Sequence, residues 1–191
     1  MTDRQATPLQ VAEAVRDWMW KDDHATRWLG IECLSVGPGS ATMRMTVRQE
    51  MLNGHGTCHG GLITTLADSA FAFACNSYND ITVAAGFDVN LVAAPRLGDT
   101  LTASATETAK TRRTGIYDVD VRDQAGRRIA TCSELNPPQE IPIMPTLPVH
   151  QSCRAIHAMA ATRSSCSAGV YSSSGNPSES PVPRKSMRRD A

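Results

Sequence analysis

Apolar residues recur along this chain with two different periods. From Pro8 to Trp20 the positions Val11, Ala14, Val15, Trp18 and Met19 follow helical spacing, which predicts an amphipathic helix. Trp28 to Val36 reads as a turn followed by a strand, and Gly37-Pro38-Gly39 as a turn. Over 41–48 the period becomes two. Ala41, Met43, Met45 and Val47 fall on one face, which predicts a half-buried antiparallel strand. The run Leu62 to Cys75 is apolar nearly all round, as expected for an enclosed helix rather than a surface one. Strand-like runs follow at 82–92, 99–108, 115–122 and from Arg127 to Cys132, the last two separated by the turn Gln124-Ala125-Gly126. Helices segregated from a meander of strands give an α+β pattern, and a sheet wrapped round one buried helix satisfies it.

The patterning stops near Asn136. Most of the chain's 11 prolines lie beyond it, the last forty residues are rich in serine, and no period of 2 or 3.6 survives. The expected organisation is therefore a folded domain over 8–135 and a Pro/Ser-rich, disordered or atypical tail over 136–191.

One carboxylate interrupts the apolar helix. Asp68 stands among Leu66, Ala67, Ala70 and Phe71, where a charge needs a partner or a role. The loop before it, Asn53-Gly54-His55-Gly56-Thr57-Cys58-His59-Gly60-Gly61, ends in two glycines. Their N–H groups stand bare at the positive end of the helix dipole. Amides aimed at one point hold a carbonyl oxygen as it gains negative charge. A carboxylate plus an amide-lined oxyanion site points to hydrolysis of an acyl compound. The plainer reading of Asp68 is a helix residue bonded to Thr64 or Thr65, or one lying at an oligomer surface.

Other chemistry is weaker. His55, Cys58 and His59 are metal-ligand types, but their spacing is cramped and no fourth ligand lies nearby, so no metal is expected. Cys58 beside a histidine is a possible nucleophile, but nothing orients the pair. Lys110, Arg112 and Arg113 are either a solvated hairpin turn or a grip for the phosphates of a ligand. The three tryptophans read as packing residues. Lys plus Arg and Asp plus Glu are 19 each, which gives no signal for nucleic acid or an anionic membrane. The start carries no secretory pattern, no segment is long enough to span a bilayer, and the six cysteines show no CxxC pair. A soluble cytoplasmic protein with free thiols is the expectation.

The residues Asn53-Gly54, His59-Gly60-Gly61, Leu66-Ala67-Asp68, Ala72, Cys75-Asn76-Ser77, Gly98-Asp99-Thr100-Leu101-Thr102-Ala103 and Gly115-Ile116-Tyr117-Asp118, at these spacings, resemble the hotdog-fold thioesterases of the phenylacetate-degradation (PaaI) type. The resemblance covers roughly residues 10–132. It implies a curved antiparallel sheet wrapped around a long central helix, and dimers that pair into tetramers. It implies hydrolysis of phenylacetyl- or hydroxyphenylacetyl-CoA without a cofactor. Asp68 is then the base or nucleophile, Gly60 supplies the amide that polarises the carbonyl, and Asn53 positions the reacting groups. His59, Gly61, Asn90, Lys110, Arg112, Arg113 and Gly115 are the expected contacts to acyl-CoA. Two departures stand out. Gly86 occupies a position where related animal enzymes carry a water-holding serine. After Thr131 the chain reads Cys132-Ser133-Glu134-Leu135-Asn136-Pro137-Pro138 instead of a glycine followed by basic residues. A non-catalytic acyl-CoA-binding module and a hotdog hydroxyacyl-thioester dehydratase are the alternative functions.

Gly60 and Asp68 lie eight positions apart, about 12 Å along a helix. Reacting groups must approach to about 3–3.5 Å. One helix therefore does not bring both to one carbonyl, whereas two antiparallel copies in a two-fold dimer would.

Overall fold

The computed structural model describes residues 6–111, 114–136 and 138–144. The chain divides into two units, Met1–Ser152 and Cys153–Ala191, and every described residue belongs to the first. Helix α1 (Pro8–Met19) begins with a reciprocal cap. The Gln10 amide N–H donates to Thr7 Oγ1, the Thr7 N–H donates to Gln10 Oε1, and Pro8 takes the first helical position. A short helix α2 (His24–Trp28) follows, capped by Asp23, whose Oδ1 accepts from the Thr26 N–H at 3.0 Å. Strands β1 (Glu32–Gly37) and β2 (Ser40–Thr46) form a hairpin. Helix α3 (Gly60–Cys75) comes next, then β3 (Asp80–Thr82), β4 (Gly86–Leu91), β5 (Thr100–Lys110), β6 (Gly115–Arg122), β7 (Arg128–Asn136) and β8 (Pro138–Pro142).

Six strands form one antiparallel sheet in the order β1-β2-β5-β6-β7-β4, and β3 pairs with β8 separately. Alternation decides which side faces α3. Ala41, Met43 and Met45 of β2, Leu101, Ala103 and Ala105 of β5, and Tyr117, Val119 and Val121 of β6 are buried beside Ile63, Leu66, Ala67, Ala70, Phe71 and Phe73 of α3. Phe71 meets Tyr117 edge to face, with ring centroids 5.3 Å apart. This is the hotdog arrangement, with α3 as its filling. The opposite face of the sheet is polar and carries Asp88, Asn90, Ser104, Thr106, Asp118, Asp120, Thr131 and Ser133.

Three expectations change. The run 82–92 is not one strand. Asn76, at the end of α3, receives the Thr82 N–H and donates to the Thr82 carbonyl, both at 2.8 Å, which ends β3 there; β4 restarts at Gly86. Regular structure also continues past residue 135. Asn136 completes β7, where its Oδ1 accepts the Gly115 N–H at 2.7 Å, and β8 lies within the segment read as tail. Residues 145–191, the rest of that tail, lie outside the described residues. Finally, α2 was not expected from the sequence. Its five residues are too few to establish a period, and a tertiary bond holds it, since Thr26 Oγ1 and Ser69 Oγ lie 3.0 Å apart in the interior.

Gly115 is held by packing. A Cβ there would stand 2.6 Å from Asn136 Oδ1 and 2.8 Å from Tyr117 Cε2, neither of which can swing clear. Gly115→Ala is expected to destabilise the domain by about 1–3 kcal/mol, the usual cost of overpacking. Urea denaturation would measure it, and an unchanged midpoint would contradict it.

Candidate active site

Helix α3 organises the site. His59 caps it, with Nδ1 accepting the Gly61 N–H at 3.0 Å. The next amide back, that of Gly60, has no hydrogen-bond acceptor among the described residues and is half-buried. It points out of the first turn, where the helix dipole favours negative charge. Gly60 also lies against β4, since a Cβ there would come within 2.6 Å of Leu91 Cδ1. A side chain at this position would intrude on that contact.

Asp68 lies two turns further on. It is half-buried on the stripe Gly61, Thr65, Asp68, Ala72, the least covered side of α3. The bonds to Thr64 or Thr65 that the plainer reading would require are absent among the described residues. Both hydroxyls donate back along the helix instead, to the carbonyls of Gly60 at 3.0 Å and Gly61 at 2.9 Å. Among the described residues no hydrogen bond or ion pair reaches the Asp68 carboxylate. Burial pushes its pKa up, and the like charge of Asp23 adds to the shift. Asp23 was not singled out in the sequence; it reaches this neighbourhood because Thr26 and Ser69 dock α2 on α3.

The remaining candidates separate into groups. Asn53 organises its own loop. Its Oδ1 accepts the His55 N–H at 2.9 Å and the Thr57 N–H at 3.3 Å, and its Nδ2 donates to Thr57 Oγ1 at 3.0 Å. The Gly61 amide is engaged by His59 and so is not free for a ligand within this protomer. Asn90 projects from the polar face of the sheet, away from α3, and its Nδ2 donates to Asp88 Oδ1 at 3.0 Å. Lys110 ends β5 with Nζ 3.2 Å from the centroid of the Tyr78 ring. Lys110 and Gly115 line a small cavity with Cys75, at the far end of α3 from Gly60, roughly 20 Å along a helix of this length. Arg112 and Arg113 lie outside the described residues. No cluster of three metal-ligand side chains occurs among the described residues. One protomer therefore presents Gly60 and Asp68 on a single helix, apart from each other and from Lys110.

The sequence reading passed over Glu134. In β7 the residues Ala130, Cys132, Glu134 and Asn136 alternate inward, and Glu134 is 2% exposed. Its Oε2 is buried without a hydrogen-bond partner. Burial, together with the charge of Asp68, pushes its pKa up to about 8. The period of two along Ala130 to Asn136 was the signal that placed this carboxyl inside.

Known proteins share this framework. A sequence model of the thioesterase superfamily matches residues 55–130. Acyl-coenzyme A thioesterase PaaI of Escherichia coli K12 is 40% identical over 112 residues, which cover 59% of this chain and 80% of that protein. The chain belongs to the thioesterase superfamily. The solved structure of the E. coli PaaI protein from the phenylacetic acid degradation operon superposes with a TM-score of 0.71, over 72% of this chain and all of that one, at 34% identity. The Streptococcus mutans protein smu.793, solved with acetyl CoA bound, superposes with a TM-score of 0.57 at 25% identity, over 59% of this chain and 90% of that one. The thioesterase match takes in Gly60 and Asp68 and ends before Glu134 and Asn136.

Proposed function

We propose that this thioesterase-superfamily member is a cytoplasmic acyl-CoA thioesterase. Its substrates are phenylacetyl- or hydroxyphenylacetyl-CoA type thioesters, released as free acid and CoA in aromatic (phenylacetate) catabolism. The observation that carries this reading is the unpartnered Asp68 carboxylate on a core helix whose first amide, Gly60 N–H, is also without an acceptor. The name of the E. coli relative supports CoA thioesters as the substrate class and the operon of its solved counterpart supports an arylacetyl group.

The chemistry follows from these two groups. Asp68 takes a proton from water as the water oxygen attacks the thioester carbonyl, and the C–O bond forms. The carbonyl oxygen becomes an oxyanion and accepts a hydrogen bond from Gly60 N–H. Collapse of the tetrahedral species breaks the C–S bond, and the proton held by Asp68 passes to the departing CoA sulfur. If Asp68 attacks directly, its oxygen bonds to the carbonyl carbon, the C–S bond breaks and CoA leaves as the thiolate, and water then cleaves the mixed anhydride to the free acid and the Asp68 carboxylate.

The site requires two chains on this reading. Within one α3, Gly60 and Asp68 are about 12 Å apart. Among the described residues the edge strand β4 has one side unpaired, and its helix-facing Phe87 and Leu91 are 45% and 52% exposed. A second copy laid antiparallel along β4 would cover these side chains and bring Gly60 of one protomer towards Asp68 of the other. Such dimers would then pair into a tetramer.

Thiol release from phenylacetyl-CoA tests the activity, and absence of turnover overturns it. Formation of a dehydrated or hydrated acyl-CoA without thiol release would favour the dehydratase. Subunit exchange tests the shared site. An Asp68→Ala chain mixed with a chain inactivated in the Gly60 loop should regain activity, up to one intact site per mixed dimer. No recovery despite demonstrated exchange would count against a shared site.

A further inference from the structure

Leu91 stands beside the amide that the hydrolytic reading assigns to the oxyanion. A Cβ on Gly60 would lie 2.6 Å from Leu91 Cδ1. Bonds at one Cα hold N and Cβ about 2.5 Å apart, so this methyl is within about 5 Å of the Gly60 nitrogen. A carbonyl oxygen held by the Gly60 N–H at about 2.9 Å brings its carbon, and the atoms attached to that carbon, within reach of the Leu91 methyl. Leu91 also belongs to a row. Phe87, Val89 and Leu91 of β4 pair with Glu134, Cys132 and Ala130 of β7, all buried on the α3 side, so the three β4 side chains face α3 as well. The helix does not cover them. The inner residues of β2, β5 and β6 are buried, whereas Phe87 and Leu91 stay exposed and Val89 is half-buried. An apolar strip about 13 Å long thus starts at the Gly60 amide and runs down β4. The chain leading into Gly60 is polar and open instead, with His55, Gly56 and His59 exposed.

We propose that Leu91 is a specificity-determining residue: the row Leu91, Val89 and Phe87 is the wall for the acyl group, and Leu91 Cδ1 at its head closes one face of the acyl α-carbon, so that the site takes arylacetyl thioesters and discriminates between the two hands of α-methylated ones. The proposal rests on the thioesterase reading, since the Gly60 N–H must hold the thioester carbonyl. Gly60 and Leu91 belong to one chain, so the selection is the same whichever protomer supplies Asp68.

The carbonyl carbon of a CoA thioester carries two arms. The thiol arm continues into amides and phosphates, which favour water and the polar loop. The acyl arm of an arylacetyl thioester is apolar and gains by leaving water, so it is the arm that the β4 row fits. Its α-carbon is then the atom next to Leu91. With the carbonyl on the amide and the ring on the row, the two remaining positions of the α-carbon are unlike. One meets Leu91 Cδ1 and the other turns away from it. A methylene places only hydrogens at both. A methyl of one hand lands where Cδ1 already stands. Either Leu91 then leaves its rotamer or the carbonyl leaves the Gly60 amide. The second outcome weakens the hold on the oxyanion, so the discrimination falls on kcat/KM. A methyl of the other hand meets no such contact.

The two enantiomers of 2-phenylpropionyl-CoA test this, because they differ in nothing but the hand of the α-methyl. Thiol release by the full chain is followed for each, with phenylacetyl-CoA as the reference. The wild type should favour one enantiomer by about 10–200-fold in kcat/KM, the range for one carbon in an apolar pocket. Leu91→Ala should raise kcat/KM for the disfavoured enantiomer and lower it several-fold for phenylacetyl-CoA, which loses an apolar contact. The enantiomer ratio should fall to within a few-fold. Leu91→Val keeps the strand propensity and withdraws Cδ1, so it should move the ratio the same way even if alanine loosens the edge strand. A wild-type ratio near one overturns the proposal, and so does a ratio unchanged in both variants. An equal rise in KM for all three thioesters, with the ratio intact, overturns it by placing Leu91 against the thiol arm. Absence of thiol release from every thioester overturns the thioesterase reading and the selection with it, whereas turnover with an unaltered ratio overturns the selection alone.

Discussion

Asp68→Asn should lower kcat for thioester hydrolysis by on the order of 10²–10⁴-fold, the usual contribution of a positioned general base. KM should change little, because the carboxylate acts on water and not on the CoA moiety. The loss will not be an unfolding effect. Apart from Glu134, the other inward or half-buried carboxylates among the described residues have partners. Asp23 caps α2, Glu107 accepts the Tyr117 hydroxyl at 2.7 Å, and Asp123 accepts from Arg127 Nε at 2.9 Å. Asp68 has none, and its charge is held against burial and the repulsion of Asp23. Asparagine removes that cost while keeping the shape, so the thermal midpoint of Asp68→Asn should equal or exceed that of the wild type. Turnover and melting measured on one preparation check both halves. Near-normal kcat would remove Asp68 from the chemistry, and a sharp fall in midpoint would make it a structural residue.

The parts of the molecule that were legible in the sequence are those in which one local rule acts alone. The helix over Pro8–Met19 follows from a single stripe and a terminal proline, and β6 runs over Gly115–Arg122 as the alternation predicts. Asp68 stood out because a charge in an otherwise apolar helix breaks its own local pattern. Tertiary contacts decided the rest. Asn76 reaches across six residues to end β3 at Thr82, and no local propensity encodes that clamp. Asn136 was assigned to the tail because prolines follow it, yet its side chain takes the Gly115 N–H from a neighbouring strand. Lys110 carried two readings in the sequence, and its position over the Tyr78 ring at the far end of α3 depends on the sheet. Glu134 was hidden by composition, because a polar Cys-Ser-Glu-Leu-Asn run reads as the decay of a strand. Its period of two survives, and the sheet obeys the period.

Glu134→Gln should stabilise the domain at alkaline pH, with an effect that grows with pH. In the unfolded chain Glu134 ionises at the ordinary value of 4.5, and in the folded domain it keeps its proton until about pH 8. Between these values the native state holds one more proton than the unfolded state, so stability falls as pH rises, by about 1.4 kcal/mol per pH unit for this one group. The stability is fully present below pH 4.5, declines across the window and levels off above pH 8. Over the whole window the loss comes to roughly 5 kcal/mol, a large share of the 5–15 kcal/mol typical of a folded domain. Asp68 works in the same direction at lower pH, since its folded pKa is also raised. Glutamine has nothing to ionise, yet it leaves a buried polar group in place. The two proteins should therefore be close in stability near pH 4.5 and diverge steadily towards pH 8. Urea unfolding at half-unit intervals of pH measures the divergence directly. Parallel stability curves for the wild type and Glu134→Gln would mean that Glu134 ionises alike in the folded and unfolded chains, and that its carboxyl is reached by water.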